Sequence, residues 1–254
     1  MPLDTSTYIL AHLRLDGRRW NELRRLQAQM STQAAADGSS YFEMGNTKII
    51  CTVAGPQEQK SGGGGRSQQD KAKIEVEVNF AGFSGMDRKK RARSDKRTSE
   101  MQHTIASAFE STLLTHLFPH STITLNLHIL SQDGSLLAAC LNAATLALVD
   151  AGIPMTDYIS ATTVATTASY ADKEEEADPL LDLNGLEEQE LPFLTIASSG
   201  GEDRVCSLVL ETKVHMARLE PMISVGLDGC SQIRGILDGV IRAHGRKVLE
   251  GKVG

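Results

Sequence analysis

Residues 122–151 constrain this 254-residue chain more than any other stretch. Thr122 to Leu130 alternates, with Ile123, Leu125, Leu127 and Ile129 on one side, and predicts a half-buried β-strand. Ser131-Gln132-Asp133-Gly134-Ser135 then turns directly into an apolar helix that runs to Ala151, where Gly152 and Pro154 stop it. A strand that feeds a helix through Asp-Gly-Ser aims free backbone N–H groups and the positive helix end at an anion. A phosphate site would normally add a fixed cation, and the planar fork of Arg suits it best. Here Leu136 and Leu137 follow, and neither can hold an anion. The chain thus has the frame of a phosphate-handling enzyme with part of its chemistry missing.

Around this unit the pattern is strands in groups, each group followed by a helix. Tyr41–Glu43 and Lys48–Val53 predict a hairpin through Gly45-Asn46, ended by Gly55-Pro56. Ile74 to Phe80 alternates and predicts a strand. Met101, Ile105, Phe109, Leu113 and Leu117 recur at four-residue steps and predict a helix closed by Pro119. Tyr158–Tyr170, Phe193–Ser198 and Val205–Leu210 read as strands, with Gly200-Gly201 as a turn and residues 171–178 as an acidic loop. Ser231–Leu249 reads as a last helix with Ile233, Ile236, Leu237, Val240, Ile241 and Val248 inside. Gly235 and Gly239 cost helix propensity there, which predicts a neighbour packed closely against them. The fold class is α/β with an α+β character: mixed β-sheets with helices packed on them. The length suits one domain, residues 1–254, in two packed halves at about 16–155 and 156–254.

Composition excludes several classes of function. Aromatic residues make up only 4%, so rows of stacking side chains are not the obvious route to nucleic acid. The net charge of -6 argues against a general polyanion binder, so any RNA contact must come from a local basic patch. Cys51, Cys140, Cys206 and Cys230 lie far apart among apolar residues and lack zinc-ligand spacing. They read as buried, reduced thiols, and neither a metal nor a cofactor is expected. No secretory signal is read near Asp4 and Arg14, and no apolar run approaches the ~18 residues of a membrane span.

Several short motifs carry a family resemblance in their order and spacing. They are Asp16-Gly17-Arg18 through Leu23-Arg24, Asp37-Gly38-Ser39, Gly45-Asn46-Thr47-Lys48, and Val53-Ala54-Gly55-Pro56. Lys96-Arg97-Thr98-Ser99-Glu100, Asp133-Gly134-Ser135, Asp150-Ala151-Gly152-Ile153-Pro154 and Asp182-Leu183-Asn184 complete the series. Over nearly its whole length the chain resembles the RNase PH superfamily, and within it the RNA exosome ring subunits most similar to RNase PH. The resemblance implies an RNase PH fold, ribosomal protein S5 domain 2-like. It also implies a hexameric ring of related subunits in three heterodimers, with S1/KH-type cap proteins and a processive 3′–5′ exoribonuclease at the ring base. Single-stranded RNA would thread the central channel during rRNA, snRNA/snoRNA and mRNA turnover, in nucleus and nucleolus and also in cytoplasm.

Phosphorolysis needs a phosphate pocket, basic residues on the RNA 3′ end, and a carboxylic acid for the leaving oxygen. The family turn continues Gly-Thr-Arg, whereas this chain reads Gly134-Ser135-Leu136. Losing one charge-assisted hydrogen-bonding group costs about 1.5–3 kcal/mol, or about one to two decades of rate. The family's acidic pair maps onto Asp182 and onto Glu188, one methylene longer, where reach matters at the sub-ångström level. The pair reads either as a degenerate catalytic remnant or as solvated loop acids. With the turn, it points to a subunit with no catalytic residue, and the alternative is an active phosphate-dependent 3′–5′ exoribonuclease using Asp182 as the acid.

The run Arg88, Lys89, Lys90, Arg91, Arg93, Lys96, Arg97 is the strongest positive patch in an acidic protein. Such runs are usually solvated faces, and the resemblance raises Lys96 and Arg97 to RNA-binding candidates. Lys60 and Arg66 flank the Gly62–Gly65 loop, which is similar to the loop that narrows the ring's channel, and would meet phosphates without reading sequence. The other reading is a surface loop. A free-standing RNA-binding module is the remaining competitor.

Overall fold

A computed structural model describes residues 13–58, 71–85, 88, 95–167, 178–200 and 204–251. Five strands form the first sheet: β1 (Leu26–Met30), β2 (Gly38–Met44), β3 (Thr47–Glu58), β4 (Lys73–Phe80) and β5 (Ser121–Ser131). Their order is β1-β2-β3-β5-β4, antiparallel except for the parallel pair β4 and β5. A parallel pair needs a crossover, and helix α1 (Lys96–Thr112) lies in it. The second sheet is antiparallel in the order β7-β6-β8-β9, from β6 (Ile159–Thr166), β7 (Pro179–Leu181), β8 (Phe193–Ser199) and β9 (Arg204–Leu210). Among the described residues three further helices are α2 (Leu136–Asp150), α3 (Gly185–Glu190) and α4 (Met216–Leu249).

Helix α2 joins the two sheets. Every residue from Ala138 to Leu148 is buried, as expected of a helix that is apolar all round. Five alanines in that stretch let β2 and β3 approach one side and β6 and β8 another. Its two polar residues are satisfied. The Asn142 amide donates to Ala161 O at 2.9 Å and accepts from Ala161 N–H at 2.9 Å. Thr145 Oγ1 donates to Ile159 O at 2.9 Å. The predicted inner face of β5 is the centre of the first core, with Ile123, Leu125, Leu127 and Ile129 all buried.

Some boundaries differ from the sequence reading. Gly55-Pro56, a cis bond, does not end β3, which continues past a register shift to Glu58. Helix α1 stops at Thr112 rather than near Pro119, because the chain there is drawn into pairing with residues 154–156: Leu114 N–H donates to Pro154 O and Thr156 N–H to Thr112 O. Leu117 consequently falls in a short 3-10 turn and is exposed. Residues 171–177 of the acidic loop lie outside the described residues. Cys51, Cys140 and Cys230 are buried free thiols, while Cys206 is half-buried. Burial pushes the Cys140 thiol up to about 12, so it stays protonated. Among the described residues no helix is long and apolar enough to cross a membrane.

The largest correction concerns α4, which begins at Met216 rather than Ser231 and accommodates Pro221. Its buried stripe is Met222, Gly226, Gly229, Cys230, Ile233 and Leu237, whereas Ile236 and Val248 are exposed. The closely packed glycines are Gly226 and Gly229. A Cβ on Gly226 would lie 2.5 Å from Ile196 Cδ1, and one on Gly229 would lie 2.5 Å from Leu181 Cδ1. Gly235 and Gly239 meet nothing within 4 Å, so no neighbour explains them. Gly235→Ala should therefore stabilise the protein by up to about 1 kcal/mol through helix propensity. At Gly229 the same gain is opposed by about 1–3 kcal/mol of overpacking. Chemical denaturation of the two variants should separate them in sign.

Candidate functional site

The turn between β5 and α2 is built from a left-handed pair, Gly134 at φ +74° and Ser135 at φ +52°. Only glycine fits the first position. A Cβ there would run into the Leu183 carbonyl oxygen and lie 2.6 Å from the Asn184 carbonyl carbon. Ser135 is held in its strained conformation by its hydroxyl, which donates to Leu183 O at 3.2 Å and accepts from Leu183 N–H at 3.1 Å. Asp133 acts as a staple. Its carboxylate accepts from Gly185 N–H at 3.0 Å and from the Asn46 amide at 2.9 Å. Thr47 completes the seam, taking Asp133 N–H at 3.0 Å and donating to Gly134 O at 2.9 Å.

The second wall is residues 181–188, and it rests on buried ion pairs. Asp182 is fully buried at φ +55°. Its Oδ2 accepts Arg24 N–H at 2.8 Å, and its Oδ1 accepts from Arg24 Nη2 at 2.8 Å. Arg24 Nε lies 3.0 Å from both oxygens. The Arg24 fork also donates to Asp133 O and Gly134 O, so one guanidinium ties Asp182 to the turn. Beside it, Arg14 forms a bidentate pair with buried Glu187 and donates to the carbonyls of Leu181 and Asp182. Arg18 bonds Asp16 at 2.6 Å and Asp182 O at 3.0 Å. Burial works against the Asp16 carboxylate, yet its bond to Arg18 wins and holds it below the ordinary carboxylate value. Asp182 is therefore no solvated loop acid: both its oxygens are already engaged by Arg24.

Glu188 stands differently. It is half-buried, and its Oε2 accepts Ser135 N–H at 3.2 Å. Burial pushes its carboxyl above the ordinary value, the Ser135 N–H works the other way, and Glu211 and Asp133 add like-charge repulsion. An internal carboxylate thus occupies the amide at the head of α2, the place where this kind of turn offers an N–H to an anion. Leu136 and Leu137 pack against the main core. Among the described residues no cluster of His, Cys, Asp or Glu could hold a metal ion.

Five of the predicted site residues, Gly134, Ser135, Leu136, Asp182 and Glu188, come together here although up to 54 positions separate them. Lys96 and Arg97 are exposed in the first turn of α1, with Lys96 Nζ 3.8 Å from Glu100. Lys60 and Arg66 lie outside the described residues, as do Lys89, Lys90, Arg91 and Arg93. The sequence reading missed the roles of Arg14, Arg24 and Glu187. Arg24 did lie inside a motif picked out as Asp16 through Arg24, but nothing in the spacing joined it to Asp182.

A match to the 3′ exoribonuclease family, domain 1 (RNase PH), covers residues 22–154. The chain belongs to the RNase PH family. The exosome complex component ski6 of Schizosaccharomyces pombe is 38% identical over 242 residues, covering 94% of this chain and 95% of that one. SKI6 of Saccharomyces cerevisiae is 39% identical, with 92% of each chain covered, and the exosome complex component RRP41 of Homo sapiens is 37% identical, again with 92% of each. Among solved structures, rice (Oryza sativa) Rrp46 superposes with a TM-score of 0.76 at 26% identity, covering 90% of this chain and 100% of that one. An Archaeoglobus fulgidus exosome chain, from a complex with RNA bound to the active site, superposes with a TM-score of 0.75 over 90% of this chain and 94% of that one; at 17% identity it speaks for the RNase PH fold alone.

Two expectations follow for this RNase PH-family chain. Removing one partner of a buried pair strands a charge and costs about 3–5 kcal/mol, so Arg24→Ala should lose that much in denaturant titrations. Glu188→Gln keeps an acceptor for Ser135 and removes the charge. A raised carboxyl contributes full stability below the ordinary value of 4.5 and loses it as pH rises through the folded value. The melting temperature of Glu188→Gln should therefore exceed that of the parent chain by more at pH 8 than at pH 5.

Proposed function

We propose that the chain is a non-catalytic ring subunit of the RNA exosome core, which scaffolds the ring and guides single-stranded RNA to an associated 3′–5′ exoribonuclease. The relatives' names support the assembly, since three of them are exosome components matched over nearly their full length. The observation that carries the non-catalytic part is the Glu188 carboxylate on Ser135 N–H. Phosphate arriving at this turn would meet a carboxylate oxygen on the amide and Leu136 where a guanidinium would be required. Asp182, taken up by Arg24, serves as a strut. Partners in this reading are related ring subunits, S1/KH-type caps, the processive nuclease and single-stranded RNA, with Lys96, Arg97, Lys60 and Arg66 as its phosphate contacts. The places of work are nucleus, nucleolus and cytoplasm, in the processing and decay of rRNA, snRNA/snoRNA and mRNA.

One observation favours an enzymatic alternative, with Glu188 in place of Asp182 as the acid, since Arg24 already engages both Asp182 oxygens. Burial and neighbouring acids raise the Glu188 carboxyl, and a carboxyl so raised can hold a proton for a leaving oxygen. The two readings part in one assay: ring purified free of other nucleases, incubated with RNA, orthophosphate and Mg²⁺. The scaffold reading expects no 5′-diphosphates, and their phosphate-dependent release, abolished by Glu188→Gln, would replace it with the phosphorolytic one.

A further inference from the structure

Phe83 is 69% exposed, yet it stands on a loop that the main chain holds in place. Residues 81–85 follow β4. Ala81 N–H donates to Ile129 O at 3.0 Å, Ser84 N–H to Ala81 O at 2.9 Å, and Gln132 N–H to Ser84 O at 3.3 Å. The loop is thereby sewn to the end of β5 and to the residue preceding the Asp133–Ser135 turn. A Cβ on Gly85 would sit 3.5 Å from the Gln132 side-chain nitrogen, so the loop and the turn abut. Arg88 N–H donates to Gly85 O at 3.2 Å, which brings the backbone of an exposed Arg to the end of residues 81–85.

An exposed ring on a well-held surface loop can meet a protein neighbour or a nucleic-acid base. Protein interfaces gather apolar side chains into a core patch. The other exposed large apolar residues stand on other elements, such as Val205, Leu208 and Leu210 on β9 and Met216 and Leu249 on α4. Within the loop Phe83 is flanked by Gly82 and Ser84, and Gly82 opens onto space with nothing within 4 Å. Phe83 is the one large apolar side chain of residues 81–85, and with exposed Arg88 five positions on it combines the two parts that single-stranded nucleic acid needs, a flat apolar face and a phosphate partner.

We propose that Phe83 is a base-stacking platform for single-stranded RNA, with Arg88 pairing the adjoining phosphate, on a strand path that passes the Asp133–Ser135 turn. The inference rests on the RNA-guiding function proposed above and assigns that function a residue. It is tested on the assembly purified through the tagged full-length chain, with oligoadenylate RNA carrying 2-aminopurine and a matched abasic oligonucleotide. A stacked base is worth about 1–3 kcal/mol, so at 1.4 kcal/mol per tenfold Phe83→Ala should weaken oligoadenylate binding about 5- to 100-fold. Phe83→Trp should keep the affinity and the quenching of 2-aminopurine, Phe83→Leu should lose both, and the abasic probe should bind parent and Phe83→Ala alike. Arg88→Ala should lower the salt dependence of binding, which Phe83→Ala should leave unchanged. Equal oligoadenylate binding by parent and Phe83→Ala assemblies would overturn the stacking role and leave the RNA-guiding function standing. Loss of assembly in Phe83→Ala and its recovery in Phe83→Leu would overturn it in favour of a ring contact. A parent assembly that binds no RNA would overturn both.

Discussion

The site depends on a guanidinium buried beneath it. Arg24 directs its donors to Asp182 and to the carbonyls of Asp133 and Gly134, so one side chain ties the turn to residues 181–188. Taking such a pair out of water is costly, and its attraction repays the cost only when every donor and acceptor finds a partner. Here they do. Arg14 repeats the device one step away on Glu187, whose carboxylate also accepts Asn184 N–H at the start of α3. Together the two arginines hold residues 181–188 in a path that includes a left-handed Asp182, a conformation a non-glycine residue keeps only when its surroundings over-determine it.

That fixed path sets where Glu188 falls. The first turn of α3 carries Glu187 inward to Arg14 and leaves Glu188 on the side facing the head of α2. An aspartate at the same position would end one methylene short of the Ser135 amide and leave that N–H without this partner. The longer side chain spans the gap and takes the amide itself. A difference of one CH₂ thus bears on which group takes the Ser135 N–H, and Leu136, packed on the core, supplies no cation beside it.

Much of this was legible in the sequence, and the parts that were not share a cause. The alternation of β5, the apolar run of α2 and the Asp-Gly-Ser turn are local patterns, and the structure places them as read. Helix α4 was read short because Pro221, Gly226 and Gly229 argue against a helix locally. In three dimensions Gly226 and Gly229 are where it rests on Ile196 and Leu181. The end of α1 is likewise set by residues 154–156, far along the chain. The partnership of Arg24 with Asp182 spans 158 positions, and a buried ion pair leaves no periodic trace. Asp182 itself was visible as a motif residue, but as a candidate acid beside a bland reading as a solvated one, because one letter does not tell a buried carboxylate from a hydrated one.

The burial of these groups also separates two properties that a family resemblance joins. Asp133, Gly134 and Asp182 would be needed for the fold in a chain that cleaves nothing: the first staples α3 and the β2–β3 turn, the second admits the Leu183 carbonyl, and the third receives Arg24. Their presence is therefore weak support for activity. The discriminating positions are those whose side chains do no structural work that another residue type could not do. Leu136 needs only to be apolar enough to lie on the core, and Glu188 only to reach one amide. Activity therefore turns on positions such as these, and the shared fold, which the other residues secure, does not decide it.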